Sequence, residues 1–129
     1  EPSPVACKAS VPISRALEAY DALECLAAGR EFDCAASSHV GNGIAHFYFS
    51  AKRGTQPAGT ENTAGLIKEA RDLTSQRGGT LIVERCPVQV KDVVDIWGPT
   101  RTDFQLMRAI KSQFDPRGTL SPGRFVGGI

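Results

Sequence analysis

The sequence predicts an α+β domain built around an antiparallel sheet, and two observations carry that prediction. Runs with strand-like alternation and runs with the 3.6-residue period of amphipathic helices follow one another as β-α-β-β-α-β. The chain has 129 residues, which is enough to bury one core without disulfide or metal support. We therefore expect residues 1–129 to form a single domain.

The first strand and helix are predicted in residues 5–30. Residues 5–12 (VACKASVP) alternate as a strand does. Pro12 suits the first turn of the following helix, and Gly29 suits the position just past its end. The apolar positions of this helix recur near the helical period and are expected to face the core: Ile13, Leu17, Tyr20, Leu23 and Leu26.

A hairpin is predicted next. Residues 32–39 (FDCAASSH) and 43–51 (GIAHFYFSA) are two β-prone runs. They are separated by a Gly-Asn-Gly turn, which tolerates the positive φ angles of tight hairpins. The two runs should therefore pair as antiparallel strands.

A second helix and a fourth strand complete the order. After a polar loop at residues 52–60, residues 61–79 have one apolar helical face, made of Leu66, Ile67, Ala70 and Leu73. Residues 80–86 (TLIVERC) form a short apolar run that predicts a strand. This order is typical of a ferredoxin-like sheet whose helices lie on one face.

A helical extension is predicted at the C-terminus. Residues 88–98 are expected to be helical up to Gly98, and residues 102–114 form an amphipathic helix with Thr102 as N-cap. The remaining tail is rich in turn-forming residues.

Composition excludes several classes of partner. Fifteen basic and fourteen acidic residues give a net charge of +1, without the basic run expected of a nucleic-acid-binding arm. No apolar run reaches the roughly 20 residues of a membrane span. The four cysteines lack CxxC spacing, which favours a reducing, cytoplasmic location. The first residues resemble neither a signal peptide nor a native start, so we expect the chain to be cut from a longer protein.

Both histidines of the chain flank the predicted turn. Alternation places His46 on the sheet face away from the core, and His39 ends the preceding strand. Neutral imidazoles suit Zn²⁺, Fe²⁺ or Mn²⁺, and Glu84, at the end of an apolar strand, is a candidate third ligand. The alternative is a hairpin with two solvated histidines that bind nothing.

The tail carries two further turn units, DPRG and SPGR, at residues 115–118 and 121–124. One interpretation is a tethered C-terminus; the other is a shaped backbone that approaches a ligand or another domain.

Three motifs together resemble a known family. His39 to His46 (HVGNGIAH) resembles the hallmark H-x-G-D-G-N-x-H, and the tail after residue 105 resembles a terminal helix followed by D-P-x-G-x-L-N-P-G-[KR], with Ser121 at the usual Asn. Glu84 and Lys91 match the ends of E-H-G-I-G-x-x-K. The chain is thus similar to the C-terminal, substrate-side domain of FAD-linked oxidases of the vanillyl-alcohol oxidase superfamily, most of all to the FAD-binding subunit of glycolate oxidase, and also to D-lactate and D-2-hydroxyglutarate dehydrogenases.

The resemblance implies a function and a set of sites. It implies oxidation of a small 2-hydroxy acid with FAD, which an N-terminal domain absent from this chain would mainly bind. It implies a divalent metal on His39, His46 and Glu84. It also implies that Asn42, Ser121 and Arg124 contact the cofactor. It implies further that Lys8 and Lys91 contact the substrate.

The motifs depart from the family where polar groups are expected. Asn42, Ile44 and Arg85 replace the family's Asp, Asn and His. The alternative is therefore a non-catalytic domain that docks other oxidase subunits and keeps the fold alone.

Overall fold

The structure, a computed structural model, describes residues 4–52 and 59–129. Its residues form two compact units, Glu1–Ile96 and Trp97–Ile129. In the described part of the chain, no helix is both long and apolar enough to cross a membrane. The predicted loop at residues 52–60 lies mostly outside the described residues.

The first unit contains one four-stranded antiparallel sheet. Its strands are β1 (Val5–Ser10), β2 (Phe32–His39), β3 (Ile44–Ala51) and β4 (Thr80–Arg85). They are ordered β2-β3-β1-β4, so that the first and third strands are central. The α+β prediction, including its ferredoxin-like strand order, is confirmed.

Two helices cover one face of this sheet. They are α1 (Ala16–Gly29) and α2 (Thr60–Gln76). The two helices pack against each other, and α1 also packs on β2 and α2 on β4. The core between helices and sheet includes Leu23, Leu66, Ile67, Phe47 and Phe49, all at most 1% exposed. Arg30, just after α1, joins the helices by a salt bridge to Glu69 and a hydrogen bond to Asn62.

The buried face of α1 differs in part from the predicted one: Leu23 is buried and Tyr20 and Leu26 pack against the core as predicted, but two other residues do not. Ile13 and Leu17 are 59% and 74% exposed, whereas Ala19, Leu23 and Ala27 are buried. Ile13 lies in a 3-10 turn before the helix begins. Small alanines on the core side let the helix approach the sheet closely, which turns Leu17 to solvent.

The hairpin forms with a longer turn than the Gly-Asn-Gly motif suggests. A 3-10 turn at Val40–Asn42 joins the strands, and Gly43 follows with φ +70°. Val11 N donates to the Gly43 carbonyl at 2.9 Å, and a Cβ on Gly43 would lie 2.0 Å from the Val11 carbonyl oxygen. The close approach and the positive φ both require glycine here.

The helix predicted for residues 88–98 is much shorter. Only α3 (Val88–Lys91) is helical. Farther along, Val83 N on β4 donates to the Ile96 carbonyl at 2.8 Å, and an Arg71 guanidinium N–H donates to the Asp95 carbonyl at 2.7 Å. These bonds hold the chain along the outer edge of β4, which is incompatible with continued helix.

The second unit contains α4 (Phe104–Phe114) and an ordered tail. Asp103, not Thr102, occupies the N-cap position of α4, and no side chain caps it. The Asp115 carboxylate accepts from Thr119 N and Leu120 N, each at 2.9 Å, and from Lys111 Nζ at 2.8 Å. These bonds hold the pKa of Asp115 far below its usual range. The tail is therefore organised around one carboxylate.

Candidate functional site

The candidate site lies on the face of the sheet that α1 and α2 leave uncovered. Cys7, Phe47 and Val83 point from their strands into the core. Since successive residues of a strand point to opposite faces, their neighbours Lys8, His46 and Glu84 point to the other face. Three ionisable side chains from three adjacent strands thus share one surface.

His46 and Glu84 are in direct contact. His46 Nδ1 lies 3.1 Å from Glu84 Oε2, and the two side chains are 27% and 40% exposed. An ionised carboxylate only accepts hydrogen bonds, so Nδ1 carries the proton and donates. In the neutral form of this tautomer, Nε2 is the acceptor nitrogen, which is the arrangement of a base oriented by a carboxylate.

A β-bulge aims Glu84 at this partner. Along β1, Cys7 pairs with Val83 on β4, but the next residue, Ala6, pairs with Arg85. Glu84 is the extra residue, without a partner in the ladder. Bulges re-aim side chains in this way, often beside active sites. The sequence singled out Glu84 as a charged residue at the end of an apolar strand, but nothing in it signalled the bulge.

Two residues flank His46 in the strand register. Lys8 is opposite it on β1, and Ser37 is opposite it on β2. Directly opposed residues have Cβ atoms about 4.5–5.5 Å apart. Lys8 therefore places a cation next to His46. The sequence singled out Lys8 but not Ser37, which pairing register alone brings to the site.

His39 lies on the same face, opposite Ile44 at the end of the hairpin. It is therefore diagonal to His46 across two strands. Among the described residues, no three His, Cys, Asp or Glu side chains are grouped closely enough to hold a metal ion. The donors as arranged do not fit the divalent metal that the sequence motifs imply, because His46 and Glu84 satisfy each other and no third donor joins them.

The other predicted site residues lie elsewhere. Asn42 sits in the hairpin turn and accepts from Ile44 N at 3.1 Å through its own Oδ1. Lys91 is exposed at the end of α3, which packs on α2 on the helical side of the sheet. Ser121 and Arg124 belong to the second unit, where the Arg124 carbonyl accepts from the Trp97 indole at 3.2 Å.

Three of the four cysteines do not supply a nucleophile. Burial raises the pKa of the Cys7 thiol to about 12 and that of Cys34 to about 11, and it also raises the pKa of Cys86. These three thiols stay protonated at neutral pH. The site's chemistry therefore rests on the imidazole, the carboxylate and the amine.

The comparison with protein-family models decides the relationship. Residues 1–84 and 97–125 match the model described as "FAD linked oxidases, C-terminal domain". The chain belongs to this family. No curated protein and no solved structure gives a significant match. The chain is thus the C-terminal domain of an FAD-linked oxidase, which is a flavin-dependent oxidoreductase.

This FAD-linked oxidase domain has cavities of its own among the described residues. Two of them, of about 80 and 290 Å³, fall below the roughly 300–1,000 Å³ of small-molecule sites. Neither can enclose a dinucleotide.

Proposed function

We propose that this domain forms the substrate-side wall of an FAD-dependent oxidase or dehydrogenase that oxidises a small 2-hydroxy acid of the glycolate or D-lactate type. The His46–Glu84 pair carries the proposal, because alcohol oxidation needs a base at the hydroxyl and this face offers an oriented one. The amine of Lys8 in the neighbouring strand suits the carboxylate of such an acid.

The chain's residues have separate roles in this reaction. Lys8 pairs with the substrate carboxylate and orients the α-carbon. His46 Nε2 accepts the hydroxyl proton, and Glu84 stabilises the resulting imidazolium through its bond to Nδ1. The α-hydrogen leaves with its electron pair, and the carbon–oxygen bond becomes the carbonyl of a 2-oxo acid. FAD, when bound, supplies the acceptor for that hydride.

No step of this proposal passes through a metal. The imidazole–carboxylate pair removes the hydroxyl proton without Lewis-acid assistance, which agrees with the two-donor arrangement of His46 and Glu84. His39 is left as a residue at the margin of the site.

A second function follows from the departures from the family motifs. Because Ile44 and Arg85 stand where the family motifs have Asn and His, the domain also suits a docking role toward other oxidase subunits. Four free thiols favour a cytoplasmic setting for either role. The two functions differ in whether the protein reacts with the acid.

The test uses the visible spectrum of the intact oxidase that contains this domain. Glycolate, D-lactate and D-2-hydroxyglutarate are added one at a time under anaerobic conditions. Bleaching of the flavin band by one of them supports the proposal and names the substrate. A flavin band that none of the acids bleaches overturns it in favour of the docking role.

A further inference from the structure

The two edges of the sheet are treated differently. The outer edge of β4 is covered, because Val83 N donates to the Ile96 carbonyl. The other edge is β2, which pairs only with β3 in the sheet that the described residues form. Its side chains from Ser37 to His39 are exposed. β2 therefore offers a row of backbone donors and acceptors with which another extended strand can pair.

β2 also lacks most of the features that block strand addition, and Asp33 is its one acidic residue. Natural edge strands use lysines, prolines, bulges or short length to prevent it. β2 is eight residues long, pairs with β3 in unbroken register, and contains neither lysine nor proline. Most of its side chains are small, so they do not hinder the approach of a second backbone.

The sequence of β2 is complementary to itself. In an antiparallel pairing centred on Ala36, Asp33 of one copy faces His39 of the other, and symmetry repeats this contact. Asp33 and His39 lie on the same face of the strand, as opposed residues must. Inside these two contacts, only cysteine, serine and alanine oppose each other, so the register places a carboxylate beside an imidazole at both ends.

We propose that β2 pairs antiparallel with β2 of a second copy of this chain, about a two-fold axis at Ala36, and so joins two sheets into one. This interface depends on the strand edge and not on the reaction proposed above. It uses main-chain hydrogen bonds for affinity and the Asp33–His39 contacts for register.

Cross-linking in the intact oxidase tests the register. Directly opposed residues in antiparallel strands have Cα atoms about 4.5–5.5 Å apart, within disulfide range. Ala36→Cys, in a Cys25→Ser background that removes the exposed thiol, should give a disulfide-linked dimer under mild oxidation. Ala35→Cys is the matched control, because residue 35 faces residue 37 and should not cross-link.

A second measurement keeps the test independent of how these cysteine variants fold. Light scattering during size exclusion should show the wild-type oxidase as a dimer, and Asp33→Lys should raise its dissociation constant by roughly 2- to 30-fold because two cross-strand contacts are lost. Asp72→Lys, on the exposed surface of α2, should leave it unchanged. A monomeric wild type overturns the proposal, and so does equal cross-linking at residues 35 and 36. If a strand from another domain occupies this edge, the wild type will be monomeric.

Discussion

The backbone conformation at Ser121 gives a physical reason for the residue type that the tail motif has at this position. Ser121 has φ +47°, a left-handed backbone in which asparagine and glycine are tolerated far better than other residues. The related family has asparagine at this position of its motif. The turn residues were readable from the sequence, but the bonds that make Asp115 the centre of the tail were not, because hydrogen bonds between a side chain and a backbone four or five residues later depend on the fold.

Ser121→Asn should stabilise the protein. The left-handed conformation costs serine more than asparagine, so the free energy of unfolding should rise by about 0.5 kcal/mol, and by up to about 1 kcal/mol for Ser121→Gly. Urea unfolding measures both. Ser121→Ala is the control and should bring no gain; an alanine variant as stable as the asparagine variant would show that the backbone is not left-handed.

Asp115 should make the tail sensitive to acid. Its pKa is lowered in the folded state, so its contribution to stability is fully present above the pKa of an unfolded aspartate, about 3.9, and is lost as the pH falls below that value. Amide hydrogen exchange at Thr119 and Leu120 should therefore be faster in Asp115→Asn than in the wild type at pH 6, with the difference shrinking below about pH 4. The same difference at every pH would contradict this account.

At the scale of helices and strands, the periodicity of the sequence predicted the features that local sequence determines. The strand alternation of β3 and the order of the elements are confirmed, since both follow from which side chains must be buried. The failures have tertiary causes. The short α3 and the bulge beside Glu84 depend on contacts with β4 and β1, which no local pattern contains.

The hairpin turn gives a matched pair of glycine substitutions. Gly43→Ala should cost roughly 2 kcal/mol or more, because the new Cβ would lie 2.0 Å from the Val11 carbonyl oxygen and φ is +70°. Gly41→Ala meets no atom within 4 Å and should change stability by less than about 0.5 kcal/mol. Thermal unfolding of both variants decides the point, and equal stabilities would mean that the turn differs from the one described.

At the scale of the whole molecule, the candidate site forms on the sheet face that α1 and α2 leave uncovered. Three strands bring together there residues that are far apart in the sequence. His46 and Glu84 are separated by 38 residues, yet their side chains meet. The sequence predicted that His46 lies on this face, and it grouped His46 and Glu84 with His39 as metal ligands. It did not predict that they would bind each other, because that contact depends on the bulge.

The rate of flavin reduction in His46→Gln tests the central claim, that this domain supplies the base for substrate oxidation. The measurement is anaerobic stopped-flow on the intact oxidase, with the acid that bleaches the wild-type flavin. Glutamine keeps a polar side chain at this half-buried position but cannot take the proton, so reduction should slow by roughly 10²- to 10⁴-fold with flavin content unchanged. Ser50→Ala, on the same face of β3, is the control and should react normally. Reduction of the His46→Gln flavin at the wild-type rate would contradict the account.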